Sequence, residues 1–282
     1  MKIRGGFEII YECAQPTPML LMLSVHPSRR GDLVAPDRLC FEPRTPAPSF
    51  IDVFGNIVHR IVAPAGRLTI SSDFIVLDNG EPDPIVPSAE QHPVEALPDE
   101  VLSFLLGSRY CDTDRLGDVA WALFGDVSPG WPRVQAVCDY VHSHMSFGYE
   151  HASAARTASE GYSERLGVCR DFAHLSVALC RCMNIPARYC TGYLGDIGVP
   201  PVPLPMDFSA WFEAYVGGRW YAFDARHNAP RIGRILVARG RDAADVALST
   251  SFGSAPLVGF KVFTDEQTPA PLHNAHAAAG RE

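Results

Sequence analysis

The segment best equipped for chemistry is Gly167-Val168-Cys169-Arg170-Asp171, followed at once by an amphipathic run that reaches Met183. Phe172, Leu175, Ser176, Leu179, Cys182 and Met183 share one helical face, and Cys169 stands at the same phase, three residues ahead of Phe172. Asn184 and Pro186 close the helix. A thiol so placed sits in the first turn and points toward whatever the helix packs on. There the positive end of the helix dipole and unpaired N–H groups favour thiolate, and a backbone N–H of the same turn is a candidate oxyanion donor. Spacing alone fits a buried packing cysteine equally well.

The elements that position this helix change character along the chain. Residues 1–80 read as all-β. Ile3, Phe7, Ile9 and Tyr11 alternate with Lys2, Arg4, Glu8 and Glu12, and further strands are expected near Met19–Val25 and Leu68–Leu77. Gly55-Asn56 between two apolar runs reads as a two-residue hairpin turn. Together these predict a small antiparallel sandwich. Residues 81–98, with Pro82, Pro84, Pro87, Pro93 and Pro98, read as a linker without regular structure. Residues 99–265 read as an α+β core. A short helix is capped by Asp99, and two apolar stripes follow at Leu116–Leu123 and Val134–Met145, the second after Pro132. Strands come after the Cys169 helix at Ala187–Leu194, Ser209–Val216 and Arg219–Asp224. The tail 266–282 is expected to be disordered.

Composition narrows the function. With 282 residues the chain can bury a proper core, and its formal net charge of −8 with no polybasic run argues against nucleic acid or anionic membrane as partner. Lys2 and Lys261 are its only lysines. Met19–Val25 is too short to span a bilayer and lacks the flanks of a signal peptide, so a cytoplasmic protein is expected. The eight cysteines are scattered without framework spacing and are expected to be free. No cofactor or metal is expected. His142 and His144, like Cys180 and Cys182, are two apart on helices and share no face.

Several motifs occur in one order: Gly-Val-Cys-Arg-Asp at the helix start, Ile185-Pro186-Ala187-Arg188-Tyr189, Gly192-Tyr193, Trp211-Phe212-Glu213, and Trp220-Tyr221-Ala222-Phe223-Asp224. In these motifs the chain resembles the bacterial transglutaminase-like family, and its β-region resembles the N-terminal domain often found with that core. The resemblance implies a papain-like α+β core and a Cys–His–Asp triad acting on amide bonds. Members include protein crosslinkers, peptidases and amidases, so the substrate stays open beyond a peptide or protein. Cys169 matches the nucleophile and Asp224 the triad acid. The histidine position, two residues before Trp211, holds Ser209.

The departure has geometric content. Gly217-Gly218 reads as a two-residue turn, which puts Trp211 opposite Asp224 and Ser209 opposite Arg226 on one face. Ser209 is then diagonal to Asp224, about 7–8 Å away, a span that imidazole bridges and serine does not. Serine has no useful basicity near neutrality and cannot shuttle a proton. Other histidines are poorly placed on this reading. Strand alternation sends His227 to the opposite face, His174 lies about 140° round the helix from Cys169, and His151 sits in a loop. Arg226 either pairs with Asp224 in the space of the lost imidazole or binds a substrate carboxylate. Trp211 and Trp220 suit the sheet core, and Tyr193 stands close to the expected cleft. The candidate site is therefore Cys169, Asp224 and Ser209 as catalytic positions, with Trp211, Arg226, Tyr193 and His227 around the cleft. Two functions follow: an impaired cysteine peptidase or amidase, or a non-catalytic relative that binds a peptide or partner protein in the old cleft.

Overall fold

The computed structural model describes residues 1–35, 37–202 and 205–267. The N-terminal region contributes β1 (Lys2–Cys13), β2 (Thr17–Leu21), β3 (Cys40–Glu42), β4 (Ser49–Ile51), β5 (Ile57–Ala63) and β6 (Gly66–Leu77). The helical stretch contributes α1 (Asp99–Leu102), α2 (Gly117–Phe124), α3 (Trp131–His144), the short strand β7 (Ser146–Phe147), α4 (Ala158–Glu164), its neighbour β8 (Leu166–Gly167) and α5 (Cys169–Cys182). Strands follow: β9 (Ala187–Tyr193), β10 (Ser209–Val216), β11 (Arg219–Phe223), β12 (Ile235–Gly240), β13 (Ser249–Ser251) and β14 (Leu257–Glu266). The fold is α+β, with a β-rich N-terminal region before a helix-and-sheet core.

In β1 the alternation works as expected. Ile3, Phe7, Ile9 and Tyr11 are buried while Lys2, Arg4, Glu8 and Glu12 are exposed. Strand β1 pairs with β6 from Lys2↔Leu77 to Cys13↔Gly66. The N-terminal sheets, β14-β1-β6-β3 and β13-β2-β5-β4, are each completed by a strand from the far end of the chain. The core sheet runs β11-β10-β9-β12, all antiparallel.

Helix α5 is the hub. On one side Leu175, Val177 and Leu179 join Val134, Val137 and Val141 of α3 and Phe212, Ala214 and Val216 of β10 in one hydrophobic cluster. Ala173 joins a second cluster, in which Phe7, Ile9 and Leu68 of the N-terminal region meet Tyr189, Tyr193 and Ile235 of the core. The β-rich region and the core thus share buried surface. The helix ends where Asn184 takes φ 59° and Ile185 N–H reaches back to Cys180 O.

Two local expectations are corrected and a third gains detail. The connection at Gly55-Asn56 is a five-residue loop between Ile51 and Ile57, not a two-residue turn. Asp52 Oδ1 accepts from the N–H groups of Phe54 and Asn56, and the Asn56 amide bonds Arg239 O, which holds the longer loop against the core. Asp99 is not a cap: Pro98 precedes the first turn and makes no side-chain capping bond. Residues 81–98 are irregular apart from a turn of 3₁₀ helix at Val94–Ala96, yet they are docked on the core. Ala89 O accepts from Trp131 N–H, Glu90 O accepts from Gly217 N–H, and Asp83 binds Arg234 at 2.8 Å. The tail expected to be disordered lies, from residue 268 on, outside the described residues. Among the described residues, no helix is long and apolar enough to cross a membrane.

Candidate active site

Cys169 is the first residue of α5. Asp171, two residues on, folds its carboxylate back to accept from Val168 N–H at 2.9 Å and binds Arg156 at 3.1 Å. A side chain at Gly167 would strike that carboxylate, since its Cβ would lie 2.7 Å from Asp171 Oδ2. The Gly-Val-Cys-Arg-Asp run is therefore a cap built around the cysteine. Cys169 looks onto a cleft of about 570 Å³ whose walls include Tyr189, Phe208 and Ala210 from the core, with Ile9, Leu257 and Phe260 from the N-terminal sheet.

The expected thiolate is not favoured. Cys169 is partly exposed to the cleft but deep in the molecule, and burial pushes its thiol up to about 11. Arg226 and the Ala210 N–H pull the other way without reversing the result. Among the described residues, no histidine is hydrogen-bonded to Cys169.

Asp224 is buried just after the end of β11. The paired register, Val216↔Arg219 through Phe212↔Phe223, extends to bring Trp211 abreast of Asp224, as the Gly217-Gly218 turn implied. Both glycines hold positive φ, 59° and 77°. The carboxylate is fully engaged: Oδ2 accepts from Arg234 at 3.1 Å and from His227 Nδ1 at 2.9 Å, and Oδ1 accepts from His227 N–H at 3.2 Å. Burial alone would raise the Asp224 pKa; Arg234 and His227 outweigh it and hold the group well below the ordinary carboxylate range.

This corrects the placement of His227 and Arg226. Strand β11 stops at Phe223, so alternation no longer applies and a turn returns the His227 ring to Asp224. His142 Nδ1 lies 3.0 Å from Ala225 O and pins that turn from α3. Arg226 does not pair with Asp224. Its guanidinium lies 3.9 Å over the Phe147 ring and, among the described residues, makes no ion pair. The partner of Asp224 is Arg234, bridged to Asp83 from the proline-rich segment; nothing in their sequence spacing announced either residue.

Ser209, the first residue of β10, is buried and lines a second, small cavity of about 90 Å³ with Tyr149, Asp207, Arg226, His227 and Arg231. Cys169 belongs to the larger cleft, and Asp207 borders both. Two expected cleft residues are elsewhere. Trp211 packs against Cys190 and Leu236 with Arg234 over its ring, because β10 turns it to the sheet face that carries Asp224. Tyr193 is fully buried between Phe74 and Phe208. His174 faces away, as its helical angle implied. It is buried, stacks on Tyr110, and accepts from Ala243 N–H, and burial drives its pKa well below the usual value. His151 lies beside Glu150 at 3.6 Å. All eight cysteines are free, and among the described residues no cluster of histidine, cysteine or carboxylate side chains has the makings of a metal site.

The model of the transglutaminase-like superfamily matches residues 122–225, a span that includes Cys169, Ser209 and Asp224. The crystal structure of a "Putative Cysteine Protease" from Cytophaga hutchinsonii is 31% identical, covers 95% of this chain and 93% of its own, and superposes with a TM-score of 0.81. Uncharacterized protein Rv2569c of Mycobacterium tuberculosis is 30% identical over 218 residues, which is 69% of this chain and 68% of the relative. Uncharacterized protein ML0607 of Mycobacterium leprae is 27% identical over 216 residues, 73% of this chain and 75% of the relative.

Proposed function

The chain belongs to the transglutaminase-like superfamily, and we propose that it holds a peptide or protein segment in the cleft at Cys169 while its cysteine-based amide chemistry is impaired. One observation carries this reading: the base position holds Ser209, and the Asp224 carboxylate that would orient a base is already occupied by Arg234 and His227. A thiol near 11 is protonated at neutral pH, and among the described residues no imidazole is hydrogen-bonded to it to take its proton. Loss of a triad member commonly removes several orders of magnitude in rate, although residual catalysis survives. The cleft itself persists. At about 570 Å³ it falls in the ordinary range for ligand sites, roughly 300–1,000 Å³, and its apolar walls suit side chains of an extended segment. Eight free cysteines are compatible with a reducing compartment such as the cytoplasm, which is the location proposed for this chain.

Ser209→His is the test. With imidazole returned to the slot, the pH midpoint of Cys169 alkylation drops from near 11 toward or below the free-thiol value of about 8.5, and peptide amide hydrolysis rises above that of the unaltered protein. The exposed Cys40 serves as the internal reference for alkylation. Unaltered protein that already hydrolyses peptide amides as fast as Ser209→His would overturn the reading, because Ser209 would then impair nothing.

A further inference from the structure

Asp224 and His227 form an oriented pair that Cys169 does not touch, and Ser209 opens onto the same small cavity as His227. We propose that Ser209, His227 and Asp224 constitute a second nucleophilic site, a Ser–His–Asp arrangement that acts on acyl esters.

The orientation of His227 is the first support. A carboxylate only accepts, so the Nδ1 that lies 2.9 Å from Asp224 Oδ2 carries a proton, and Nε2 is the ring nitrogen left to exchange one with a nucleophile. The backbone N–H of His227 bonds the same carboxylate, which fixes ring and main chain together. His227 lines the cavity wall and Asp224 does not, so the carboxylate stands behind the imidazole. This is how the acid of a serine triad holds its base.

Ser209 is the second. Its backbone carbonyl accepts from Thr191, while its hydroxyl has no hydrogen-bond partner among the described residues. No bond joins it to His227 either. Ser209 and His227 both line the one cavity, so a substrate carbonyl seated in it would meet nucleophile and base together. Nucleophile–base contacts often tighten only with substrate bound. Arg226 and Arg231 line the same cavity; Arg231 is buried and, among the described residues, its Nε has no partner. Guanidinium donors beside a serine suit the oxyanion that develops on an attacked carbonyl.

In the first step Ser209 Oγ forms a bond to the acyl carbon while its proton passes to His227 Nε2. The bond from that carbon to the alcohol oxygen breaks, and the alcohol leaves with the proton from imidazolium. Water then attacks the acyl-serine, gives its proton to Nε2, and releases the acid as Ser209 recovers its proton.

The full chain is treated separately with p-nitrophenyl acetate and with diisopropyl fluorophosphate, and the modified residue is located by peptide mass spectrometry. That readout separates Ser209 from Cys169 directly, so it is independent of the peptide-binding reading. The expected result is an acetyl or phosphoryl adduct on Ser209, absent in Ser209→Ala and formed at least about 100-fold more slowly in His227→Gln. Ser209→Ala removes a single oxygen, so its loss of the p-nitrophenolate burst decides the matter if the His227 variant fails to fold. Absence of a Ser209 adduct, or labelling at an unchanged rate in a folded His227→Gln, overturns the proposal.

Discussion

At the residue scale the site turns on Asp224, a buried carboxylate with two cationic or donor partners. Arg234 and His227 hold its pKa far below the unfolded value, so the sign of its contribution is definite. A depressed carboxylate stabilises the fold above the ordinary value of about 3.9, and that stability is lost as the pH falls below it toward the folded pKa. Asp224→Asn leaves Arg234 buried with only Asp83 as counter-charge and weakens the hold on His227. Breaking a buried pair of this kind costs about 3–5 kcal/mol. The expected outcome is a lower urea midpoint at pH 7, with the difference from the unaltered protein shrinking as the pH approaches 3. A difference that stayed constant with pH would assign the effect to packing. The places of Cys169 in the first turn of its helix and of Ser209 at the start of its strand were legible in sequence, as was the register that sets Trp211 abreast of Asp224. Their protonation was not. The helix position of Cys169 suggested a thiolate, whereas burial, a tertiary quantity, sets the opposite direction.

At the element scale the β10–β11 hairpin brings Ser209 and Asp224 to one end of the sheet. Gly217 and Gly218 with positive φ fix a two-residue turn, and that turn fixes every pair from Val216↔Arg219 to Phe212↔Phe223. This register was readable because it depends on local turn chemistry and a two-residue period. The behaviour of His227 was not, since it depends on where β11 stops, and strand ends carry no comparable mark. The same limit explains Gly55-Asn56, where Asp52 and a contact to Arg239 build a longer loop than the dipeptide suggests. Gly217 faces the docked segment: an added Cβ would lie 3.0 Å from the Ala89 Cβ, and its N–H bonds Glu90 O. Gly217→Ala therefore combines unfavourable φ with crowding and is expected to destabilise by about 1 kcal/mol or more. Chemical denaturation should show a lower midpoint with an unchanged slope. An equal or higher midpoint would mean the turn tolerates a side chain and does not set the register.

At the scale of the whole molecule, the chain closes on itself. Strand β14 runs along β1 from Ile3↔Glu266 to Tyr11↔Leu257, and β13 runs along β2, so the N-terminal sheets are built from both ends of the sequence. Nothing local announces such pairings, because partners some 250 residues apart leave no shared period, and these strands went unread in the sequence. Their placement bears on the Cys169 cleft. Leu257 and Phe260 of β14 form one wall, Ile9 and Tyr11 of β1 stand beside them, and the core supplies the rest. Val262 and Thr264 of β14 are buried, so the strand is also part of the packed interior. A chain ended at residue 248 would remove both returning strands, leave the N–H and C=O groups of one β1 edge unpaired, and strip the cleft of a wall. An open, long, partly apolar edge is a template for association with other chains. We therefore expect the shortened chain to elute from size exclusion as oligomer or aggregate and to lose its cooperative thermal transition, with Cys169 alkylated faster than in the full chain. Were it instead monomeric, with the original melting temperature and the original Cys169 reactivity, β14 would be an accessory to the sheet, and the cleft would have to be assigned to the core alone.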